Sequence, residues 1–418
     1  MRPISPQAGL EIVDAYVERH LDFYDPLVWA DPEERMVRRK AFAELSTYLY
    51  FKLRCGFAAP ESLHAFVSNI VNSKAYLGLM CRQPSEFLLF APALAYPART
   101  GCLEPAAIAA VREMGAEPAT RASERVPYRY LDYMFCLDAI AGTDAHDPGF
   151  RQCVYRLSIL SQPLLAAHIS IDDTYALTHS LFYVTGFGGD TSLFRSRPDM
   201  LPRADDIDAI ICRYVFEENM DVALELAIGR MIVSGEDSAV LSWCIVAALK
   251  SLAVLGHLPS PSGAEKCGNF PKAFQDWAER YHTTMVLGLA LALAVGRKRS
   301  FADEPANADR LLRYGGVLSA AFDADIYESS IRAAKLLDGG MRDLPAAPMQ
   351  LAAVARVLRR HIALVENDGD PGLLVDALKL SEMKGTPRAR DGIASINRLA
   401  RLVLAELERL NPPAPACR

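Results

Sequence analysis

Apolar residues recur at helical spacing along almost the whole chain, while runs of alternating polar and apolar residues closed by hairpin turns are nearly absent. This restricts the fold to the all-α class. Helices are expected in QAGLEIVDAYVERHLDFY (7–24), PEERMVRRKAFAELSTYLYFKLRC (32–55) and PESLHAFVSNIVNSKAYLGLMC (60–81). In the second, a first-turn proline followed by two glutamates suits a helix start. Further starts fall near Pro84, Glu104, Pro127, Pro148, Asp172, Asp205, Asn219, Glu236, Pro271, Asn307, Asp325, Pro348, Pro371 and Pro387. The 26 prolines punctuate this array rather than interrupt it, because proline fits a first helical turn and breaks an interior one. No internal repeat with a legible consensus is present, which argues against tetratricopeptide, HEAT and ankyrin arrays. The expected architecture is an array of antiparallel helical hairpins closed into an α/α toroid, with an open α-solenoid as the alternative. A single helical domain is expected over residues 1–410, with points of subdivision at the loop-rich stretches 115–127 and 188–206, and a disordered tail at 411–418.

At 418 residues, 51% hydrophobic and 23% charged, the chain can bury a sizeable core. Its net charge of -6, without an extended Lys/Arg cluster, offers nucleic acid little to hold. The basic run GRKRS (296–300) follows a strongly apolar helix and reads as cations completing that helix's C-terminal dipole. Nine cysteines are scattered with no C-x-x-C, a usage that fits a reducing compartment. The N-terminus, MRPISPQAGLEIVDAY, has no apolar run of the secretory kind. The most apolar stretch, TTMVLGLALALAVG (283–296), falls short of the roughly twenty residues that cross a bilayer. A cytoplasmic protein with neither a membrane nor a nucleic-acid partner is expected.

Chemistry-bearing side chains concentrate in IDDTYALTHSLFYVTGFGGD (171–190). Asp172 or Asp173 suits a helix cap, and at 3.6 residues per turn Tyr175, His179 and Tyr183 share a stripe, with Thr178 and Phe182 beside it. The helix then runs into glycines and Asp190, a setting that an acid/base or metal site would use. A capped helix with a half-buried, satisfied histidine is the plainer reading. The second cluster is FPKAFQDWAERYHTTMVLGLALALAVG (270–296), read as one central helix. Its Tyr281 and His282 sit where a charged half gives way to an apolar one.

His168, His179 and His282 are the candidate metal ligands, although H-x3-D-D-x5-H matches no standard signature and neither H-E-x-x-H nor a duplicated E-x-x-H is present. The acids of FDADIYES (322–329) read as a helix cap, and those of FEENMD (216–221) as a solvated turn. DDTYA lacks the later acid of D-D-x-x-D/E, so terpene or diphosphate chemistry would need a degenerate motif. Cys244 reads as a small buried apolar residue. TGFGGD contains no nucleophilic serine and follows no strand, so nucleophile-elbow and dinucleotide readings fail.

YALTHSLFYVTGFG, followed about a hundred residues later by YHTTMV, resembles a group of uncharacterised, all-helical bacterial proteins often encoded near biosynthetic genes. The resemblance rests on Tyr175, Thr178, His179, Phe182, Tyr183, Thr185 and Gly188, then Tyr281, His282 and Thr283, and it implies no particular reaction. The expected function is an enzyme of small-molecule or peptide natural-product biosynthesis working in a largely apolar cavity. His179, His282, Asp172, Asp173, Asp190 and Tyr183 would carry the chemistry, and Tyr175, Thr178, Phe182, Phe187, Tyr281 and Thr283 would line the substrate. A divalent metal is the one cofactor considered, and homodimerisation is compatible with this reading. A non-catalytic helical scaffold that binds a protein or peptide is the alternative.

Overall fold

The computed structural model of the chain describes residues 4–28, 30–82, 84–142, 148–166, 168–260, 270–299, 301, 305–322, 350–358, 398–399, 401–403 and 405. Helices account for all the regular structure among them, with no strand. The helices of thirteen residues or more are numbered here in chain order: α1 (Pro6–Arg19), α2 (Pro32–Arg54), α3 (Pro127–Ala141), α4 (Ile171–Val184), α5 (Ala204–Phe216), α6 (Met220–Val233), α7 (Ala239–Leu255), α8 (Tyr281–Gly296) and α9 (Ala308–Phe322). Proline opens α1, α2 and α3, and side-chain caps fix the first two: Ser5 accepts from the Ala8 amide and Asp31 from those of Glu33 and Glu34. No helix among the described residues is long and apolar enough to cross a membrane. The helix starts expected at Asp325, Pro348, Pro371 and Pro387, the acids Asp323, Asp325 and Glu328, and the tail 411–418 lie outside the described residues.

α6 and α8 form the centre. Every residue of α6 from Asp221 to Ile232 is buried, as are Tyr281, Thr283–Gly288 and Ala290–Ala294 of α8. A helix buried on every face is stable only when other helices surround it. α8 packs against α1, α2 and α6, and α6 against α4, α5, α7 and α8. Glycine makes one of these approaches close: a Cβ on Gly288 would lie 2.7 Å from Cε2 of Tyr48 and 2.8 Å from Cγ1 of Val13. Tyr48 cannot easily yield, because its hydroxyl donates to Asp14 Oδ1 at 2.8 Å and Lys52 holds the same carboxylate. Gly288→Ala is therefore expected to destabilise the fold by about 1–3 kcal/mol, the usual penalty of overpacking. In urea this reads as a lower midpoint at unchanged slope. A raised midpoint, the ordinary gain of alanine over glycine in a helix, would contradict it.

Two expected helices are broken. The stretch 60–81 divides into Glu61–Val71 and Lys74–Arg82, and Asn72 at the break donates to Cys102 O and accepts from the Glu104 amide. The stretch 270–296 divides into Lys272–Ala278 and α8, with Arg280 at φ -130° between them. Packing of the aromatic residues accompanies this bend: Trp277 stacks on Tyr281 at 4.5 Å and meets Tyr24 edge-on at 5.0 Å. The break places Tyr281, His282 and Thr283 in the first turn of α8, where the helix dipole favours nearby carboxylates.

Candidate functional site

Helices α2, α4, α6 and α8 each direct ionisable side chains to one place. Asp221 and Glu225 lie four residues apart on α6 and therefore share a face. Their side chains are only 3% and 4% exposed. His282 of α8 sets Nε2 at 3.5 Å from Asp221 Oδ1 and 3.8 Å from Glu225 Oε1. Its other nitrogen, Nδ1, lies 3.2 Å from Oε2 of Glu44 on α2. His179 of α4 meets the other oxygen of the same carboxylate, with Nε2 at 3.7 Å from Glu225 Oε2, so that both histidines share Glu225. About a quarter of each imidazole side chain remains open to solvent, 27% and 23%. Nδ1 of His179 is buried without a hydrogen-bond partner among the described residues.

Hydrogen bonds orient the carboxylates. Thr283 donates to Asp221 Oδ1 at 3.0 Å, Tyr175 to Asp221 Oδ2 at 3.1 Å, and Thr178 to Glu225 Oε2 at 2.6 Å. Lys40 places Nζ 3.5 Å from Oε1 of Glu44, and the Tyr281 phenol faces the same carboxylate. Burial opposes ionisation of all three acids, but the outcomes differ. For Glu225, His179 and His282 outweigh burial and hold the carboxyl well below the usual range. For Glu44, His282 and Lys40 do the same, holding it down at about 2. Asp221 is pushed up, because burial and the charge of Glu225 prevail over His282. In turn Asp221 and Glu44 overcome the burial of His282 and raise its imidazole well above the ordinary value. Two buried carboxylates, Asp221 and Glu225, and the half-buried Glu44 face one lysine, a charge balance that protons on the imidazoles or on Asp221, or a bound cation, would complete.

Several residues singled out in the sequence meet at this centre: His179, His282, Tyr175, Thr178, Tyr281 and Thr283. Others do not. Asp173 is exposed and locked in a capping box with Ser170, whose amide and hydroxyl both donate to Asp173 Oδ2. Asp172 and His168 are exposed and line a separate cleft together with Asp173. Asp190 is exposed and accepts from the Ser192 amide at 2.8 Å, a local turn contact. Phe187 is core rather than substrate wall: only 4% exposed, it packs against Tyr50, Phe51, Phe135 and Phe182. The glycines around it have a structural role, since Gly186, Phe187 and Gly188 all take positive φ and Thr185 accepts from the Gly188 amide at 2.8 Å to close the turn. Phe182 is buried likewise. The Tyr183 ring sits 6.1 Å from His179, and burial raises its phenol well above the ordinary range. Cys244 is buried, as read from the sequence.

Glu44, Asp221 and Glu225 are the participants that the sequence reading missed. The expectation of a solvated turn at 216–221 fails for Asp221, because α6 begins at Met220 and carries it inside. The missed signal was the single acid in VALELAIGRMIV, four residues after Asp221. A lone carboxylate on an otherwise apolar helix needs a partner.

No curated protein and no solved structure matches the chain. One protein family does, the one described as Domain of unknown function (DUF6895), over residues 14–292. The matched span contains Glu44, His179, Asp221, Glu225 and His282, together with α2, α4, α6 and α8 as far as residue 292. With more than half of its length matched, the chain belongs to the DUF6895 domain family.

Proposed function

We propose that Asp221, Glu225 and His282 hold one divalent metal ion, with His179 beyond Glu225 as the proton-transferring group, and that this centre makes the chain a metal-dependent enzyme acting on a small-molecule or peptide substrate. The ligand spacing carries the reading. A direct N–H···O contact spans about 2.7–3.2 Å, whereas two donors each about 2.1 Å from a tetrahedral ion sit about 3.4 Å apart. His282 Nε2 stands at 3.5 and 3.8 Å from the two carboxylates, and the three donor atoms lie within 4.8 Å of one another. The surroundings fit as well. A metal-bound histidine commonly turns its other nitrogen to a carboxylate, the place Glu44 takes, and ligating carboxylates are themselves hydrogen-bonded, as Thr178, Tyr175 and Thr283 arrange here. A donor set of carboxylate oxygens and imidazole suits manganese, iron or zinc rather than a thiophilic ion.

The scaffold alternative gives no reason for this cluster. Two acids four residues apart on a buried helix oppose folding unless a cation compensates them, and a binding surface does not require them. Bound at this centre, the ion would act as a Lewis acid toward substrate or water. His179, partly exposed beside Glu225, is placed to take or give the proton. The test is depletion of individual mass features from a small-molecule extract by metal-loaded protein. Consumption by the wild type and not by Glu225→Gln or chelated protein is expected. Equal consumption by all three would exclude the centre from catalysis.

Metal uptake should also depend on pH. In the metal-free chain Asp221 and Glu44 favour the protonated ring of His282, and coordination through Nε2 must displace a proton. Apparent affinity is therefore expected to rise with pH, with proton release visible by calorimetry in buffers of different ionisation enthalpy. A pH-independent affinity would contradict the involvement of His282.

A further inference from the structure

A cleft of about 510 Å³ opens beside α4, on the face next to the one that carries His179. Apolar side chains dominate its walls, and its rim includes Val126 and Leu157, which are 54% and 65% exposed. Its carboxylates are Asp172 and Asp173, His168 is the other titratable side chain on its wall, and no lysine or arginine lines it. Asp173 is committed to its capping box, whereas Asp172 is exposed and has no hydrogen-bond or ion-pair partner among the described residues. Ser180, two turns further along α4, is fully buried and lines the same cleft, and its hydroxyl has no partner among the described residues. A helical serine ordinarily bonds back to the preceding turn, and a buried hydroxyl left unpaired is costly, so this one is placed to receive a polar group from outside the chain. Tyr128 joins the cleft to the centre: it lines the cleft, and its ring lies 5.6 Å from the ring of His179.

We infer that this cleft binds the substrate of the metal centre and that the substrate is an amphipathic amine. Its ammonium pairs with Asp172, its apolar body lies along Leu157 and Leu165, and a polar atom further in bonds Ser180. Ser180 lies eight positions beyond Asp172, about 12 Å along the helix, which sets the scale of the ligand. The assignment of this cleft to catalysis rests on the metal-centre reading, while the binding chemistry does not.

The test uses decylamine, with decanol and decanoate as matched controls, titrated calorimetrically into chelator-treated full-length protein. Decylamine is expected to bind about three- to fivefold more tightly than decanol, the range of a solvent-exposed ion pair, and decanoate more weakly than either. Asp172→Asn should remove the preference for the amine without abolishing decanol binding. Equal binding of the three probes, binding of none of them, or a preference that survives Asp172→Asn overturns the proposal. A second measurement, broadening of the decylamine proton signals by Mn²⁺ added to the protein, ties the cleft to the centre. Broadening in the wild type that is lost in Glu225→Gln is expected, and decylamine that binds Mn²⁺-loaded protein without broadening refutes the link. If Mn²⁺ does not bind at all, the metal reading fails while the metal-free titration still decides the amine site.

Discussion

His282→Ala is expected to destabilise the metal-free protein by about 3 kcal/mol, the lower end of what breaking a buried ion pair costs. The lower end applies because 23% of the His282 side chain still meets solvent, which screens part of the interaction. What remains after the substitution is the source of the loss: Asp221 and Glu225 stay almost fully buried, and Glu44 loses its imidazole while keeping Lys40 beside it. The sign of the pH dependence follows from the raised His282 value. A cationic group whose value is higher in the folded than in the unfolded state contributes fully below its unfolded value and loses that contribution as pH rises through the folded one. The deficit of the variant should therefore be largest at or below about pH 6.5 and shrink in alkaline solution. Urea denaturation in the presence of chelator, repeated across pH, measures it. A deficit below about 1 kcal/mol, or one that does not change with pH, would remove His282 from the charge balance of the centre.

Glu44→Gln is expected to weaken metal binding about 10–100-fold while leaving one site per chain, the usual consequence of removing the carboxylate behind a ligating histidine. Glu44 sits on the far side of the imidazole, so its loss reduces the basicity of His282 and frees the ring to rotate. Glutamine keeps the shape and some of the hydrogen bonding, which separates this role from simple packing. If the affinity of Glu44→Gln matches the wild type, Glu44 is a half-buried structural acid balanced by Lys40, and the orientation argument fails.

The two histidines were legible in the sequence because each stands where a pattern changes: His179 on an aromatic stripe ahead of a glycine turn, His282 where a charged segment becomes wholly apolar. The acids were not. Asp221 follows Glu217, Glu218 and Asn219, a string that reads as solvated, and only the packing of α4, α5, α7 and α8 around α6 carries it inside. Glu44 sits among the many charges of α2, where sequence periodicity alone does not distinguish an acid facing a neighbouring helix from one facing water. Asp173 stands apart from them for the opposite reason. It closes a local capping box with Ser170, satisfied within four residues, while Asp172 faces the separate cleft beside α4. The all-helical class was readable throughout, since helical periodicity is a local signal. The bend before Tyr281 was not, because it accompanies contacts between Trp277 and Tyr24 that lie far apart in the chain.

Calorimetric titration of Mn²⁺ or Zn²⁺ into chelator-treated protein tests the central claim most directly. One site per chain is expected in the wild type, lost in both Glu225→Gln and His282→Ala and retained in Asp172→Asn. Binding that survives Glu225→Gln, or no stoichiometric site in a folded wild-type chain, would contradict it.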